Sequence, residues 1–212
     1  MKPYFFRTNW VIRMLFPQYM WRKKTNQKKV YLTFDDGPTP VITPWTLDQL
    51  NRHNAKATFF CIGQNIDANP EIFRQLVDSR HLIGNHTDDH CNGWQTATTS
   101  YAKSVQKCTD KILRVIPSVS YFRPPYGKIT RKQAREVRSM GYTIVMWDII
   151  SGDYDADLSP EKCLENVIRK IRPGSIIVFH DSVKAFPNLE YVLPRTLEYL
   201  KENGYEFGAL TD

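Results

Sequence analysis

The spacing of apolar and polar positions after residue 29 alternates between two periods. Short runs rich in β-branched and aromatic residues predict buried strands, and segments with an apolar position every three or four residues predict amphipathic helices. The predicted strands cover residues 30–34, 57–62, 82–84, 120–122, 142–147 and 175–179. The predicted helices lie between and after them, at residues 43–53, 70–80, 98–116, 130–140, 160–171 and 189–203.

This alternation predicts an α/β fold with a mainly parallel sheet, either open and doubly wound or curled into a barrel. Both architectures bind ligands at the carboxyl ends of their strands. The residues that follow each predicted strand are therefore the first candidates for chemistry.

The first 28 residues differ from the rest of the chain in charge. Residues 1–29 hold eight basic side chains and no acidic one, whereas the remaining residues carry 21 basic against 22 acidic side chains. We predict two parts, a basic amphipathic segment at 1–28 and one folded domain at 29–212. The net charge of +7 thus belongs to the segment, and nothing indicates a nucleic-acid partner for the domain.

Within the basic segment, Phe6, Trp10 and Met14 recur every four residues ahead of Pro17, which predicts a short amphipathic helix. Three interpretations stay open: a helix packed on the domain surface, a peripheral contact with anionic lipid through residues 1–24, or an atypical export or transit signal. No cleavable signal peptide or membrane-spanning helix is recognisable. The predicted location is the cytoplasm or the cytoplasmic face of the membrane.

The bulk composition is that of an ordinary globular domain, with 42% apolar and 24% charged residues. The four cysteines are widely spaced and form no CxxC pair, which argues against a zinc ribbon or a redox motif. Buried thiols in a reducing compartment are the interpretation we favour, and disulfides stay open.

Charged or imidazole side chains follow five of the six predicted strands. His86 and His90 lie four residues apart, so in a helical turn they share a face and could bind one metal ion. A carboxylate from another strand end would complete a two-histidine, one-carboxylate set, the composition of catalytic zinc sites and also of ferrous-iron sites. Cys91 follows His90 directly and points away, so it is not predicted as a ligand.

Four motifs, TFDDG, HTDDH, RPPYG and FHD, occur in this order, each after a predicted strand. From about residue 29 to about residue 205 the chain resembles the NodB-like polysaccharide deacetylases, carbohydrate esterase family 4. The resemblance implies a single-domain distorted (β/α) barrel and a divalent metal, with Zn²⁺ expected and Co²⁺ or Ni²⁺ as alternatives. It also implies hydrolysis of N-acetyl groups on an amino-sugar carbohydrate such as peptidoglycan, a chitin-like oligomer or another envelope glycan.

The resemblance implies different roles for two adjacent aspartates. Asp36 is expected to bind the metal together with His86 and His90, and Asp35 is expected to be the general base that deprotonates the attacking water. A carboxylate bonded to a cation is held anionic, whereas its unbonded neighbour can accept a proton. His180 is expected to be the general acid that protonates the leaving amine.

Two further residues are implied as supports for this pair of proton-transfer groups. Arg123 is expected to pair with Asp35, and Asp153 is expected to steady His180. The stretch GDYD holds a second candidate for the latter role, Asp155.

The pocket walls are also implied by the resemblance. The backbone N–H of Tyr126 is expected to stabilise an oxyanion. Pro125, Tyr154 and Val178 are expected to line the substrate pocket. Tyr154 stands where the family often has tryptophan and Val178 where it has leucine, so the sugar preference stays open.

Other functions remain as alternatives. The same site could serve an O-acetyl glycan esterase or a glycolipid deacylase or deformylase, and a non-catalytic carbohydrate-binding relative could keep the fold. A ferrous-iron oxygenase shares the ligand set, but those enzymes are usually built on all-β jelly rolls. The expected partner is an N-acetylated carbohydrate or glycolipid, and the sequence leaves the oligomeric state open.

Overall fold

The computed structural model describes residues 8–211. Its strands are β1 Lys29–Asp35, β2 Ala57–Cys61, β3 Leu82–Asn85, β4 Tyr121–Phe122, β5 Thr143–Ile144, β6 Ile149–Ile150, β7 Ile176–His180 and β8 Glu206–Phe207. Its α-helices are α1 Trp10–Leu15, α2 Ile42–Arg52, α3 Gly63–Ala68, α4 Pro70–Asp78, α5 Thr98–Ile112, α6 Arg131–Ser139, α7 Pro160–Ile168 and α8 Phe186–Glu202. A 3₁₀ turn covers Pro125–Gly127.

The named strands form one parallel sheet that curls into a half-barrel surrounded by helices. Neighbouring strands follow the order β5-β4-β3-β2-β1-β7-β6, and β8 pairs with the start of β1. Apart from β5 and β6, consecutive strands are joined through helices, as the period changes in the sequence predict. The predicted single-domain distorted (β/α) barrel is confirmed.

The two-residue period of β1 decides which side chains reach the barrel interior. Leu32 and Phe34 belong to the outer apolar core between the sheet and the helices. Tyr31, Thr33 and Asp35 lie on the other face, because successive side chains of a strand point to opposite sides. All five side chains are buried, and β1 ends by bringing Asp35 to the rim of the barrel.

The helices α4 and α7 both begin with proline but differ in their caps. Ser159 accepts a hydrogen bond from the N–H of Lys162 and caps α7, as the sequence Ser-Pro-Glu predicts. Asn69 makes no such cap for α4, because its side chain donates instead to the carbonyls of Pro38 and Asn65.

The sequence predicts one strand at 142–147, whereas the structure has two short strands at opposite edges of the sheet. β5 pairs with β4, and β6 pairs with β7. Only four residues separate β5 from β6, so this part of the chain crosses the opening of the half-barrel instead of continuing one strand.

The N-terminal segment covers this opening. Met20 forms a parallel bridge with Val145, and Arg22 forms an antiparallel bridge with Ser175, just before β7. The side chains of Tyr19 and Trp21 are buried in a second apolar cluster that includes residues of α5 and α6. Residues 19–22 therefore belong structurally to the barrel, while the boundary predicted at residue 28 stays a prediction.

The predicted N-terminal helix corresponds to α1, which Asn9 caps through a hydrogen bond from the N–H of Val11. Phe6, the first residue of the predicted apolar repeat, lies outside the described residues. No helix within residues 8–211 is long and apolar enough to cross a membrane.

All four cysteines are unpaired. Three are buried, and Cys91 is half-buried.

Candidate active site

The predicted site residues converge at the carboxyl end of the sheet, around a cleft of about 580 Å³. Such a volume lies within the range of small-molecule sites. The cleft is lined by Asp35, Asp36, His86, His90, Pro124, Tyr126, Gly127, Lys128, Trp147, Ile150, Tyr154, Val178, His180, Ser182 and Lys184.

Three potential metal ligands lie together at the centre of the cleft. The Oδ1 atom of Asp36 is 3.7 Å from Nε2 of His86 and 3.3 Å from Nε2 of His90. One candidate ligand atom from each residue lies within 4.8 Å of the other two. Residues 86–90 form no helical turn, because Thr87 and His90 adopt positive φ, and this loop rather than a shared helix face brings the two histidines to Asp36.

The opposite nitrogen of each histidine has its own partner. Nδ1 of His86 donates to the carbonyl of Arg123 at 2.7 Å, which leaves Nε2 as the unprotonated nitrogen of the neutral ring. Burial lowers the pKa of His86 to about 4, so the ring is neutral at physiological pH. Nδ1 of His90 lies 3.1 Å from the hydroxyl of Tyr126.

Asp36 carries a buried oxygen that makes no hydrogen bond. This atom, Oδ1, is the one that faces both histidines. Burial raises the pKa of Asp36, but the electrostatic effect of His180, with smaller effects of the His86 and His90 rings, outweighs burial, so the pKa lies below its ordinary value. An anionic oxygen, two imidazole nitrogens and no competing hydrogen bond fit a divalent cation such as Zn²⁺.

Asp35 points into the barrel and is held by a buried arginine. Nη1 of Arg123 donates to Oδ1 of Asp35 at 2.6 Å and to the hydroxyl of Thr33 at 2.8 Å. The guanidinium lies 4.2 Å from the centre of the Phe60 ring. Because Arg123 is fully buried and bound from several sides, it fixes the orientation of Asp35.

His180, at the end of β7, lines the same cleft as the three potential metal ligands. Asp153 contacts it at two atoms. Nδ1 of His180 lies 2.8 Å from Oδ1 of Asp153, and its backbone N–H donates to Oδ2 of the same carboxylate at 2.8 Å. Burial lowers the pKa of His180, but the charge and hydrogen bond of Asp153 outweigh burial and raise it to about 9. Asp155, the second candidate, instead accepts from the N–H of Asp157.

Three non-glycine residues of the site adopt left-handed backbone conformations: Asp36 (φ 83°), His90 (φ 53°) and Tyr126 (φ 59°). Each such conformation costs roughly 1–3 kcal/mol and persists where the surroundings enforce it. The left-handed conformation of Asp36 follows directly after Asp35, the extended last residue of β1. The two adjacent carboxylates therefore point toward different partners.

The wall of the cleft is aromatic on two sides. Tyr126 and Trp147 stand on one side, where Gly127 adopts φ 66° and a Cβ would lie 2.6 Å from the Trp147 ring. Tyr154 packs edge-on against His180 at 5.0 Å between ring centres, and Val178 also lines the cleft. Pro124 lines the cleft, whereas Pro125, the predicted lining residue, is buried in the 3₁₀ turn.

The backbone N–H of Tyr126 donates to no group within residues 8–211, and its side chain is 60% exposed. The two neighbouring N–H groups, of Gly127 and Lys128, are both used within the turn. The N–H of Tyr126 therefore remains available to an acceptor in the cleft.

Several residues of the site were missed by the sequence analysis. Asp181, directly after His180, accepts hydrogen bonds from the N–H of Gly37 at 3.1 Å and from the hydroxyl of Thr43 at 2.5 Å. The side chain of Asn65 donates to the carbonyl of Asp36 at 2.7 Å. Position after a strand could have indicated Asp181, but no local signal indicates Asn65.

Two lysines at the cleft were also missed. Nζ of Lys128 lies 5.2 Å from the Trp94 ring and 5.8 Å from the Tyr126 ring, and Nζ of Lys184 lies 6.0 Å from the Tyr154 ring. They add positive charge beside the aromatic walls. Asp88 and Asp89, which sit between the two histidines in sequence, are turned to Lys111 and Ser104 instead.

A family model described as polysaccharide deacetylase matches residues 22–145, which is more than half of the chain. The chain belongs to the polysaccharide deacetylase family. This match includes the first three motifs and the strands that carry them, and it confirms the resemblance to the NodB-like deacetylases of carbohydrate esterase family 4. Divalent-metal dependence is a general property of that family.

Two relatives illustrate the likeness of this family member to characterised deacetylases. A peptidoglycan-N-acetylglucosamine deacetylase of Bacillus cereus is 36% identical over 74% of the chain, which spans only 57% of that relative. A crystal structure of a peptidoglycan N-acetylglucosamine deacetylase with a bound hydroxamate superimposes with a TM-score of 0.85 at 32% identity, covering 91% of each chain.

The family also contains members described as inactive. A structure from Bacillus anthracis described as a CE4 family pseudoenzyme matches with a TM-score of 0.81 at 28% identity, over 90% of this chain and 66% of that one. Family membership and fold therefore do not decide activity, which depends on the residues of the cleft.

Proposed function

We propose that this protein is a metal-dependent deacetylase that removes N-acetyl groups from amino sugars of a peptidoglycan-type glycan. One observation carries the proposal. The Asp36–His86–His90 set lies in the same cleft as two separately supported proton-transfer groups, Asp35 and His180. A binding protein has no need of a buried arginine on one of these groups and a buried carboxylate on the other.

Asp36, His86 and His90 would hold the divalent ion, which when bound supplies a Lewis acid that polarises the amide carbonyl and lowers the pKa of water to about 7. Asp35 would take the proton from the attacking water. Its Oδ1 is engaged by Arg123, and its Oδ2 has no hydrogen-bond partner within residues 8–211, so that oxygen is free to accept.

His180 would supply the proton that the leaving amine requires, because an amide anion is a poor leaving group. Asp153 occupies Nδ1, so Nε2 is the nitrogen that can deliver a proton into the cleft. A pKa of about 9 keeps the ring protonated at neutral pH, as a general acid must be.

The carbonyl oxygen becomes negatively charged as water adds to it. The N–H of Tyr126, which has no acceptor among residues 8–211, is the donor we assign to this oxygen. In other enzymes removal of one such donor costs about 3–4 kcal/mol of transition-state stabilisation. Val178 and Ile150 supply the apolar surface for the acetyl methyl group.

The choice of a peptidoglycan-type substrate rests on the relatives, since two of them are named for peptidoglycan N-acetylglucosamine. The aromatic walls at Tyr126 and Tyr154 suit the apolar faces of sugar rings. Chitin-like oligomers and O-acetylated glycans are the competing substrates that the experiment has to separate.

The test is release of acetate by the purified, Zn²⁺-loaded protein. N-acetylated peptidoglycan, chitin oligomers and an O-acetylated glycan are compared at matched acetyl concentrations. We expect release from the first substrate at the highest kcat/KM, and a loss of about 10²–10⁴-fold in Asp35→Asn and in His180→Ala.

Two results would contradict the proposal. Glycan binding without acetate release from any substrate by the metal-loaded protein would indicate a non-catalytic relative. Release from the O-acetylated glycan alone would indicate an esterase.

A further inference from the structure

Helix α1 exposes a group of large apolar side chains. Trp10, Met14 and Leu15 are 68%, 68% and 66% exposed, and Val11 is 41% exposed. The spacing i, i+1, i+4 and i+5 places all four on one face of the helix. Singly exposed apolar residues are ordinary on a protein surface, but a contiguous group of this size marks an interaction surface.

The other face of α1 fixes the helix to the barrel. Ile12 and Phe16 pack against the second apolar cluster, and the Phe16 ring stacks on Tyr19 at 5.7 Å. Arg13 forms an ion pair with the buried carboxylate of Asp148. The N–H of Thr8 donates to the carbonyl of Asp148 at 3.0 Å, so the helix is tied down at its start as well. The apolar group is thus held outward by specific contacts.

The surroundings of α1 are basic. Residues 8–28 contain no acidic side chain and five basic ones: Arg13, Arg22, Lys23, Lys24 and Lys28. On the neighbouring α6, Arg131 and Arg138 lie close enough to Tyr19 to act on it electrostatically. Their helix carries two more basic residues against a single acidic one. An acidic protein surface or an anionic bilayer would complement this charge, and the apolar group favours the bilayer.

We propose that α1 is an interfacial anchor that inserts Trp10, Met14 and Leu15 into the surface of an anionic lipid bilayer. Tryptophan is favoured at the boundary between headgroups and acyl chains, and flanking Lys and Arg side chains reach the lipid phosphates. A short amphipathic helix of this kind binds reversibly, with apolar insertion and charge attraction both required.

The position of α1 relates this anchor to the cleft. The hydroxyl of Thr8, two residues before the helix, donates to the carbonyl of Trp147, and the side chain of Trp147 lines the cleft. An anchored molecule therefore carries its cleft beside the bilayer, where glycan attached to or close to the membrane is concentrated. The anchor itself does not depend on the proposed deacetylase activity.

The experiment is co-sedimentation of the full chain with vesicles. One set consists of phosphatidylcholine and the other of phosphatidylcholine with phosphatidylglycerol. We expect binding to the anionic vesicles, at least 10-fold weaker binding to the neutral ones, and weakening as salt rises. The double variant Trp10→Ser/Met14→Ser should reduce binding to anionic vesicles at least 10-fold.

A matched control replaces two exposed apolar residues elsewhere. Leu113 and Val115 are 44% and 40% exposed and lie just after α5. The variant Leu113→Ser/Val115→Ser should bind vesicles like the unaltered protein. Acetate release from a soluble glycan should be the same in all three proteins, so failure of the anchor and failure of the proposed function are seen separately.

Three outcomes would overturn the anchor. The first is no binding to either vesicle type, and the second is equal binding by Trp10→Ser/Met14→Ser. The third is a stable dimer by light scattering that this variant dissociates, which would mean that a second copy of the chain covers the apolar face.

Discussion

Two neighbouring carboxylates have different environments because the backbone changes conformation between them. Asp35 is the last residue of β1 and keeps the inward orientation set by the strand period. Asp36 adopts φ 83°, which turns its side chain to the two histidines instead of back across the strand. One carboxylate therefore meets a guanidinium and the other meets imidazoles, although only one peptide bond separates them.

This difference predicts unequal effects of removing each negative charge. Asp36→Asn should weaken Zn²⁺ binding by 10-fold or more, because it replaces a ligand oxygen of the proposed site. Asp35→Asn should retain metal affinity within about 3-fold and lose turnover, because its partner is Arg123. Isothermal titration with Zn²⁺ measures both affinities, and equal loss of metal in the two variants would refute the division of labour.

The pKa of His180 gives a second prediction at this scale. Asp153 raises the pKa of His180, so Asp153→Asn should lower this pKa. In a plot of kcat/KM against pH, the fall on the alkaline side, the alkaline limb, should then move to lower pH. Asp155→Asn is the matched control, since Asp153 binds both Nδ1 and the backbone N–H of His180 whereas Asp155 accepts from the N–H of Asp157, and it should leave the limb in place. A shift of the limb in the control alone would transfer the supporting role to Asp155.

Many residues of the site could be predicted, because the carboxyl ends of parallel strands lie at the same edge of the sheet. The rule that ligands bind at strand ends brought Asp36, His86 and His180 to one cleft. Which proline faces the cleft could not be predicted, since that depends on the left-handed turn at Tyr126. Asn65 was also beyond prediction, because its partner, the carbonyl of Asp36, is distant in sequence.

At the scale of elements, the N-terminal segment completes the barrel. The edge strands β5 and β6 do not pair with each other, and residues 19–22 bridge the sheet at Val145 and Ser175. The charge distribution of the sequence predicts a boundary between this segment and the domain. In the structure, the apolar contacts of Tyr19 and Trp21 join the two. Charge composition reports on the surface and carries no information on such contacts.

The segment should therefore contribute to stability through its buried aromatic residues. Trp21 is 9% exposed, and its indole N–H donates to the carbonyl of Phe16 at 2.9 Å. Trp21→Ala should lower the free energy of unfolding by about 3–5 kcal/mol. Urea denaturation measures the change.

The same substitution at an exposed tryptophan serves as the control for Trp21→Ala. Trp10 is 68% exposed, so Trp10→Ala should change the free energy of unfolding by about 0.5 kcal/mol or less. Equal losses in the two variants would mean that the segment does not stabilise the barrel through burial of Trp21.

At the scale of the whole molecule, one buried carboxyl group ties together the two strands that carry the proton-transfer groups. Asp181 follows β7, and its side chain accepts from Gly37 and Thr43, which follow β1. A Cβ on Gly37 would lie 2.1 Å from an oxygen of Asp181, so the close approach of these loops requires glycine. The position of Asp36 relative to His180 depends on this junction.

The junction makes the stability of the protein depend on pH. Burial raises the pKa of Asp181 from 3.8 to about 8. Between these values the unfolded chain loses the proton and the folded chain keeps it, so the contribution to stability is complete below pH 3.8 and is lost as the pH rises toward 8. The loss is at most about 1.4 kcal/mol per pH unit for one group.

Asp181→Asn removes this titration, because the amide stays neutral and keeps an oxygen for the N–H of Gly37. The variant should therefore gain stability relative to the unaltered protein as the pH rises from 5 to 8, whatever its stability at pH 5. The measurement is the urea midpoint of both proteins at each pH, with a chelator present so that metal binding does not contribute. Titratable groups common to both proteins cancel in the difference between their stabilities. A difference that stays constant with pH would show that Asp181 is already ionised in the folded protein, and that Gly37 and Thr43 stabilise an anion at the junction of the two loops.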